Sequence, residues 1–148
     1  MQKATETLIS GFNTGTINDI MAHRSAACTQ RILPKTLGRT PKNNAEAREH
    51  VTHVYDLLHD WTFTADNILY DVAARKSCFH ATSSATSPVG PFGNEYSFFL
   101  WFSEDGEEIT RIEEMVDSAY SKEYFARLTA HMKGVDDGEG AGSIMRRD

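Results

Sequence analysis

The segment GNEYSFFLWFSEDGEEITRIEEMVDSAY, residues 93–120, decides the fold and raises the functional question. It contains two strand-like runs joined at Asp105 and Gly106, a dipeptide typical of tight hairpins. The second run carries Glu114 and Asp117 in a stretch that otherwise has the pattern of a buried strand. An acidic side chain that points into an apolar interior is costly unless it has a partner or a function. The placement of these two carboxylates therefore decides whether the chain is a scaffold or an enzyme.

Strict alternation along the second run sends Ile112, Glu114 and Val116 to one face of the sheet. Most of the apolar residues share that face, so we expect Glu114 to point inward and Glu113 to lie in water. Asp117 reaches the same interior only if a bulge or the end of the strand resets the alternation. The alternative is that both acids are surface carboxylates and that Asp117 caps the helix that follows.

A carboxylate in a concave apolar site has a raised pKa, because desolvation penalises its charged form. Such a group can act as a general acid, or as a base poised near neutral pH. A second acid nearby pushes the two titrations apart and leaves one proton donor and one acceptor. The pattern therefore suggests acid–base chemistry at Glu114 and Asp117.

The rest of the sequence predicts an α+β domain. Apolar residues at helical spacing indicate three early helices interrupted by one strand, and the period then changes to that of strands. A long curved sheet, antiparallel or mixed, wrapped over three helices makes a cone-shaped barrel whose open end suits a small molecule. The first predicted helix covers 4–13, the second begins at Thr16 with Asp19 as its capping partner, and the third begins at Asn43 with Glu46 as its capping partner. A short last helix covers 121–133. Strands are predicted over 28–34, 63–72, 75–87, 93–103 and 107–118.

Length and charge exclude several classes of protein. The 148 residues fit one catalytic domain over 1–133, with a Gly-rich tail over 134–148 that we expect to be disordered. The net charge of −6 argues against a nucleic-acid surface. The sequence contains no apolar run long enough for a membrane span and no signal-peptide pattern. Cys28 and Cys78 lack the spacing of metal or disulfide sites. We therefore expect a cytoplasmic protein with reduced thiols.

Several other side chains are candidates for the site. Tyr96 alternates in phase with the apolar face and either presents its hydroxyl to a substrate or is a core tyrosine. Arg39 follows the first strand near the expected mouth and either holds an anionic oxygen or is a surface residue. His80 is either a proton shuttle or a partly buried structural histidine. Histidines 50, 53 and 59 cannot converge on a metal if they share one helix, so no metal or cofactor is expected.

Three stretches carry a resemblance to a known family: LPKTLGRTPKNN (33–44), GPFGNEYSFFL (90–100) and EEMVDSAY (113–120). With them the chain resembles SnoaL-like members of the nuclear transport factor two-like superfamily. It looks most like the fungal isomerases and cyclases of meroterpenoid, indole-alkaloid and related secondary-metabolite pathways. The resemblance covers residues from about 5 to 125.

The resemblance implies that Arg39, Tyr96, Glu114 and Asp117 line the active site. Glu114 and Asp117 would transfer protons, while Arg39 and Tyr96 would orient and polarise the substrate. Relatives often have Tyr where this chain has Phe92, which removes a possible hydroxyl donor. The substrate-binding candidates are Phe92, His80, Phe98 and Met115. The resemblance also implies a homodimer through the outer sheet face, and the apolar side chains of Phe99 and Trp101 suit such a contact.

These observations favour a cofactor-independent isomerase or cyclase that rearranges an apolar polycyclic intermediate. Two alternatives stay open at this point. One is a hydrolase or hydratase that uses the same carboxylates to activate water, for instance on an epoxide. The other is a binding module that holds a ligand without changing it.

Overall fold

A computed structural model describes residues 1–144, with side chains described through residue 134. Its elements follow the predicted order of helices and strands. They are α1 (Gln2–Thr14), α2 (Ile17–Met21), β1 (Arg24–Leu33), a single 3₁₀ turn (Lys35–Leu37), α3 (Asn44–Leu57), β2 (His59–Asp71), β3 (Lys76–Thr86), β4 (Phe92–Phe102), β5 (Ile109–Val116) and α4 (Ser118–Ile144).

The five strands form one mixed sheet in the order β1-β5-β4-β3-β2. Strands β2 to β5 form an antiparallel meander, whereas β1 pairs with β5 in parallel. The parallel pair is possible because α3 and the meander separate the two strands along the chain, as a parallel connection requires. The predicted α+β class with a curved mixed sheet is confirmed.

Local signals in the sequence act as expected at α3 and differently at α2. Asn43 caps α3 with a full capping box, in which its side chain accepts from the Glu46 N–H and the Glu46 carboxylate accepts from the Asn43 N–H. The predicted cap at Thr16 is wrong in its detail, because the Thr16 side chain makes no capping bond to α2. Its hydroxyl instead lies 2.8 Å from that of Thr14.

The hairpin between β4 and β5 turns where Asp105 and Gly106 predicted it. Gly106 has a φ of 73°, a left-handed conformation that glycine adopts without steric cost. The Asp105 carboxylate accepts from the Ser103 hydroxyl at 2.6 Å and from the Glu107 N–H at 3.0 Å. These bonds fix the turn and with it the alternation of the two strands.

Aromatic side chains fill the space between the concave face of the sheet and the helices. Phe98 of β4 is stacked on Phe79 at 4.8 Å and contacts Phe12 of α1 at 5.5 Å between ring centroids. A second cluster lies where β4 meets α4, with Phe92 edge-on to the buried Tyr124 at 5.0 Å. The concave face is therefore packed at both ends, and the hollow between them is lined by rings.

Helix α4 is longer than the short helix predicted over 121–133, since it runs to Ile144. Residues 145–148 lie outside the described residues, and the predicted division into a domain and a disordered tail stays a prediction. No helix in the described part of the chain has both the length and the apolarity to cross a membrane. Both cysteines are free, with Cys28 buried and Cys78 only half-buried.

Candidate active site

A cavity of about 810 Å³ lies between the concave face of the sheet and α1, α3 and α4. This volume falls in the range of sites for drug-sized molecules. Inward-facing residues of β1, β4 and β5 form its floor, and residues of α3 and α4 form its sides. Its wall is rich in aromatic side chains, among them Phe63, and Trp61 is stacked on Phe92 at 6.0 Å between ring centroids.

Glu114 is the one acidic side chain among the described residues of this wall. Its neighbours across the strands are Ile32 on β1 and Phe98 on β4, so a carboxyl group stands between two apolar side chains. Burial raises its pKa from 4.5 to about 7, against the opposing hydrogen bond from Gln30 and the positive charges of Arg24 and Lys42. At neutral pH Glu114 can therefore both donate and accept a proton.

Gln30 and Arg24 hold the Glu114 carboxyl group in place. The Gln30 amide donates from Nε2 to Glu114 Oε2 at 3.1 Å. Its orientation is set by Arg24, whose Nη2 donates to Gln30 Oε1 at 2.6 Å. One oxygen of Glu114 is thus committed to Gln30, and the other is available to a bound molecule.

The sequence analysis missed Gln30 and Arg24. The signal was present, because Gln30 alternates with Cys28 and Ile32 on the buried face of β1, where an amide needs a partner. The partner itself could not be predicted, since it comes from the parallel pairing of β1 with β5.

His50 of α3 lines the same cavity. Its pKa falls from 6.5 to about 4, first because of burial and then because of the positive charges of Lys42, Arg39 and His53. The imidazole is therefore neutral at pH 7 and can accept or donate a hydrogen bond. From the sequence His50 was considered only as a metal ligand, and its place in the wall that also holds Glu114 was not expected.

In addition to Glu114, four of the predicted site residues line the cavity: Tyr96, Phe92, Phe98 and Arg39. The Tyr96 hydroxyl is 2.9 Å from that of Ser83, and burial, followed by the charge of Glu114, raises the Tyr96 pKa and keeps the phenol neutral. Arg39 is exposed on the loop after β1. A hydroxyl and a guanidinium group thus accompany the carboxyl group.

Asp117 does not share the cavity with Glu114. Alternation continues to the end of β5, which places Asp117 beyond the strand and exposed. Its carboxylate accepts from the Tyr120 N–H at 3.1 Å, the geometry of a cap on α4. The expected pair of carboxylates is therefore replaced by one carboxyl group, Glu114, with the neutral His50 in the same cavity.

His80 and Met115 lie on the opposite, convex face of the sheet, and neither contacts the cavity. His80 is held between Asp66 at 2.8 Å and Glu95 at 2.7 Å. Met115 is 39% exposed and follows the inward-facing Glu114 by one residue, so the pleat turns it outward. The placement of both as substrate-binding residues is therefore corrected.

Within the described residues, no three His, Cys, Asp or Glu side chains are close enough to bind a metal ion together. Histidines 50 and 53 lie on α3, whereas His59 begins β2. The chemistry available to the cavity from its own side chains is proton transfer at Glu114 and hydrogen bonding from Tyr96, His50 and Arg39.

Comparison with known proteins finds fungal proteins that are similar to this chain. The chain is 33% identical to the monooxygenase AacuP of Aspergillus aculeatus over 87% of this chain and 89% of that protein. It is 38% identical to the monooxygenase dmxR10 of a Cryptosporiopsis species over 71% of each chain. The BvnE pinacolase of Penicillium brevicompactum has the same fold, with a TM-score of 0.75 and 27% identity over 88% of this chain and 96% of that one. No protein-family model matches the chain.

Proposed function

Because the chain belongs to the SnoaL-like, nuclear transport factor two-like proteins of fungal secondary metabolism, we propose that it rearranges an apolar polycyclic intermediate by acid–base catalysis. The observation that carries this proposal is the Glu114 carboxyl group, which has a pKa of about 7 in an aromatic cavity. A group that is half ionised at neutral pH is suited to remove a proton and return it elsewhere on the same molecule.

In the proposed reaction Glu114 takes a proton from a carbon that is acidified by a neighbouring carbonyl group. The negative charge moves to the carbonyl oxygen, where the Tyr96 hydroxyl and the Arg39 guanidinium group stabilise it. Glu114 then returns the proton to another carbon of the same molecule. Where the carbanion instead attacks a second carbonyl carbon and closes a ring, the C=O π bond breaks and Glu114 returns the proton to the alkoxide oxygen. His50, which is neutral, supplies a second hydrogen bond inside the cavity. Asp117 has no part in this scheme.

A relative with a rearrangement activity supports the proposal, since BvnE is described as a pinacolase. The names of the curated relatives favour a second candidate, an oxygenation that starts from the same proton removal. There the carbanion reduces dioxygen: a CH₂ group becomes C=O, one oxygen atom enters the product and the other leaves as water. Both candidates need a base at the position of Glu114 and differ in what the carbanion meets.

The test uses a panel of polycyclic ketones with an acidic C–H group, incubated with the protein in D₂O. Proton transfer predicts deuterium uptake at that carbon in the absence of oxygen, even where no rearrangement follows. We expect Glu114→Gln to reduce the exchange rate on the order of 10²- to 10⁴-fold. The matched control is Glu113→Gln, one residue away on the convex face, which should keep the parent rate. Equal rates in the two variants would contradict the proposal.

Product mass separates the candidates. A rearrangement gives an isomer of unchanged mass with or without oxygen. An oxygenation consumes dioxygen and carries ¹⁸O from ¹⁸O₂ into the product. Label that comes from H₂¹⁸O instead indicates the hydratase alternative, after exchange of carbonyl oxygens with water has been subtracted. A ligand recovered unchanged and without deuterium indicates a binding module.

A further inference from the structure

The charged side chains around the cavity are nearly all basic, although the chain has a net charge of −6. Glu114 is the sole acid among the described lining residues, and it is partly protonated at neutral pH because its pKa is about 7. The cations of the lining are Arg39, Lys122 and Lys133. All three are exposed, and such cations around one cavity create a local positive potential even in a protein of negative net charge.

A second depression of about 430 Å³ adjoins the first but is not basic, since it carries two acids and one cation. It shares His50 and His53 with the main cavity and adds the side chain of Lys42. The acids beside it are Glu46 and Glu49, of which Glu46 is occupied by the cap of α3. The lowered pKa of His50 reflects, after burial, the positive charges that converge on this part of the wall.

The interior of the cavity differs sharply from its mouth. Trp61, Phe92 and Phe63 present ring faces and edges, and Phe98 closes the floor beneath Glu114. Flat unsaturated molecules pack well against such walls, because aromatic rings favour offset-stacked and edge-on contacts. The site thus combines a surface for a ring system with a group of cations at its opening.

We propose that the substrate is a polycyclic aromatic compound that carries an anionic oxygen, held by Arg39 and Lys122 while its rings lie against the aromatic wall. The inference rests on the proposed function for the identity of the occupant as a substrate, but the binding preference can be measured by itself. A guanidinium group binds a carboxylate or a phenolate through charge-assisted hydrogen bonds, and an ammonium group adds a second positive charge. Either anion fits these two cations, and the experiment separates them.

This arrangement also affects the chemistry at Glu114. A negative substrate in the same cavity disfavours the charged form of the carboxyl group. Glu114 therefore retains its proton more strongly in the complex than in the empty site. A bound anion therefore moves the pH range in which Glu114 acts as a base to higher pH.

Fluorescence titration with anthracene probes tests the preference. We expect anthracene-9-carboxylate to bind about tenfold more tightly than its methyl ester, and 9-(aminomethyl)anthracene to bind most weakly. In a second arm, 2-hydroxyanthraquinone is titrated above and below its own ionisation, with its methyl ether as control. A gain for the carboxylate alone or for the phenolate alone identifies the anion. If neither anion binds more tightly than its neutral counterpart, the proposal is overturned.

Two double variants, each of which removes two positive charges, test whether the anion preference depends on the cations at the cavity opening. Arg39→Gln with Lys122→Gln should remove the advantage of the anion while the neutral ester binds as before. The control is Lys3→Gln with Arg31→Gln, since Lys3 is exposed on α1 and the pleat of β1 directs Arg31 away from Glu114. A cavity variant that keeps the preference, or a control that loses it, would count against the assignment.

The variant Glu114→Gln distinguishes this inference from the proposed function. It should retain the anion preference, because binding depends on the cations, while it loses deuterium exchange. Loss of exchange without any anion preference in the parent protein would overturn only the substrate class. A clear anion preference with exchange unaffected in Glu114→Gln would overturn only the catalytic role.

Discussion

The concave and convex faces of the sheet both carry carboxylates and imidazoles, but the concave face shifts their pKa values towards the neutral forms and the convex face towards the charged forms. In the cavity, burial raises the pKa of Glu114 to about 7 and lowers that of His50 to about 4. On the convex face the hydrogen bonds to Asp66 and then to Glu95 raise the pKa of His80. The cavity therefore favours neutral groups and the convex face favours charged pairs, although both are built from carboxylates and imidazoles.

The difference arises within a single residue step along β5. Glu113 points outward and lies 3.3 Å from Arg111, whereas Glu114 points inward between apolar neighbours. The pleat alone makes one a surface ion-pair residue and the other the candidate acid–base group. A mixed polar and apolar sheet can thus position a reactive carboxyl group without any special backbone geometry.

The largest expected effect on stability concerns Glu114. A carboxyl group whose pKa is raised from 4.5 to about 7 stabilises the fold fully below pH 4.5, and this contribution is lost as the pH rises towards 7. The loss amounts to about 3 kcal/mol. We therefore expect Glu114→Gln to be more stable than the parent protein at pH 8, with a difference that shrinks towards pH 4.5. Urea unfolding across this range measures it.

The control for this comparison is Glu113→Gln on the convex face. Its carboxylate is paired with Arg111, so its removal should not stabilise the fold at pH 8. If both variants have the same stability at pH 8, the two faces do not differ in the way proposed here. A stabilised Glu114→Gln that is also inactive would show that the site holds its reactive group at a cost to the fold.

The inward position of Glu114 could be predicted because alternation needs only local sequence. The turn at Gly106 and the capping box at Asn43 could be predicted for the same reason. The bond from Gln30 could not, since it depends on a parallel pairing between strands about 80 residues apart. The family resemblance placed Asp117 with Glu114, while the strand pattern left its direction open, because the end of a strand does not reveal where the next side chain points.

His50 escaped prediction for a different reason. Helical spacing shows which residues share a face of α3, but it does not show that this face borders a cavity. The lowered pKa of His50 depends on burial and on Lys42 and Arg39, which the loop after β1 brings close.

The homodimer predicted through the convex face also stays a prediction, although Phe99 is 40% exposed there.

A second prediction concerns His50, whose effect on stability has the opposite sign. An imidazole with a pKa lowered from 6.5 to about 4 stabilises the fold above pH 6.5, and this contribution is lost as the pH falls towards 4. The expected loss is again about 3 kcal/mol. His50→Gln should therefore lose less stability than the parent protein between pH 6.5 and 4, as urea unfolding would show.

The charges that lower the pKa of His50 are those of Lys42, Arg39 and His53, while the carboxylates of Glu46 and Glu49 line the same depression. In the parent protein the opposite slopes of Glu114 and His50 overlap between pH 4.5 and 6.5 and partly cancel. His131→Gln, at an exposed position of α4 outside both linings, serves as the control and should change the slope far less. Identical slopes in His50→Gln and the parent would contradict the buried, neutral state of this histidine.

A third, smaller effect is expected from Gln30. Its hydrogen bond favours the ionised form of Glu114, so Gln30→Met should raise the pKa of Glu114 further. The midpoint of the pH dependence of deuterium exchange should then move to higher pH than in the parent. The control is Gln2→Met, because Gln2 makes the same type of bond to Glu6 at 2.8 Å on the exposed surface of α1. A midpoint that moves downward, or equally in both variants, would contradict the role of Gln30.

The smallest expected effect lies at His80 and sharpens the contrast between the faces. NMR titration of the imidazole signals should show His80 protonating above its ordinary pKa of 6.5 and His50 only near pH 4. Glu95→Gln replaces one of the two charged acceptors of His80 by a neutral amide and should lower the pKa of His80 while that of His50 stays unchanged. High salt should not move the pKa of His50, which is set mainly by burial, but it should weaken the exposed ion pairs of His80.

Deuterium exchange should be the same in His80→Gln as in the parent, because His80 does not line the cavity. A loss of exchange in that variant would contradict the assignment of the active site to the concave face.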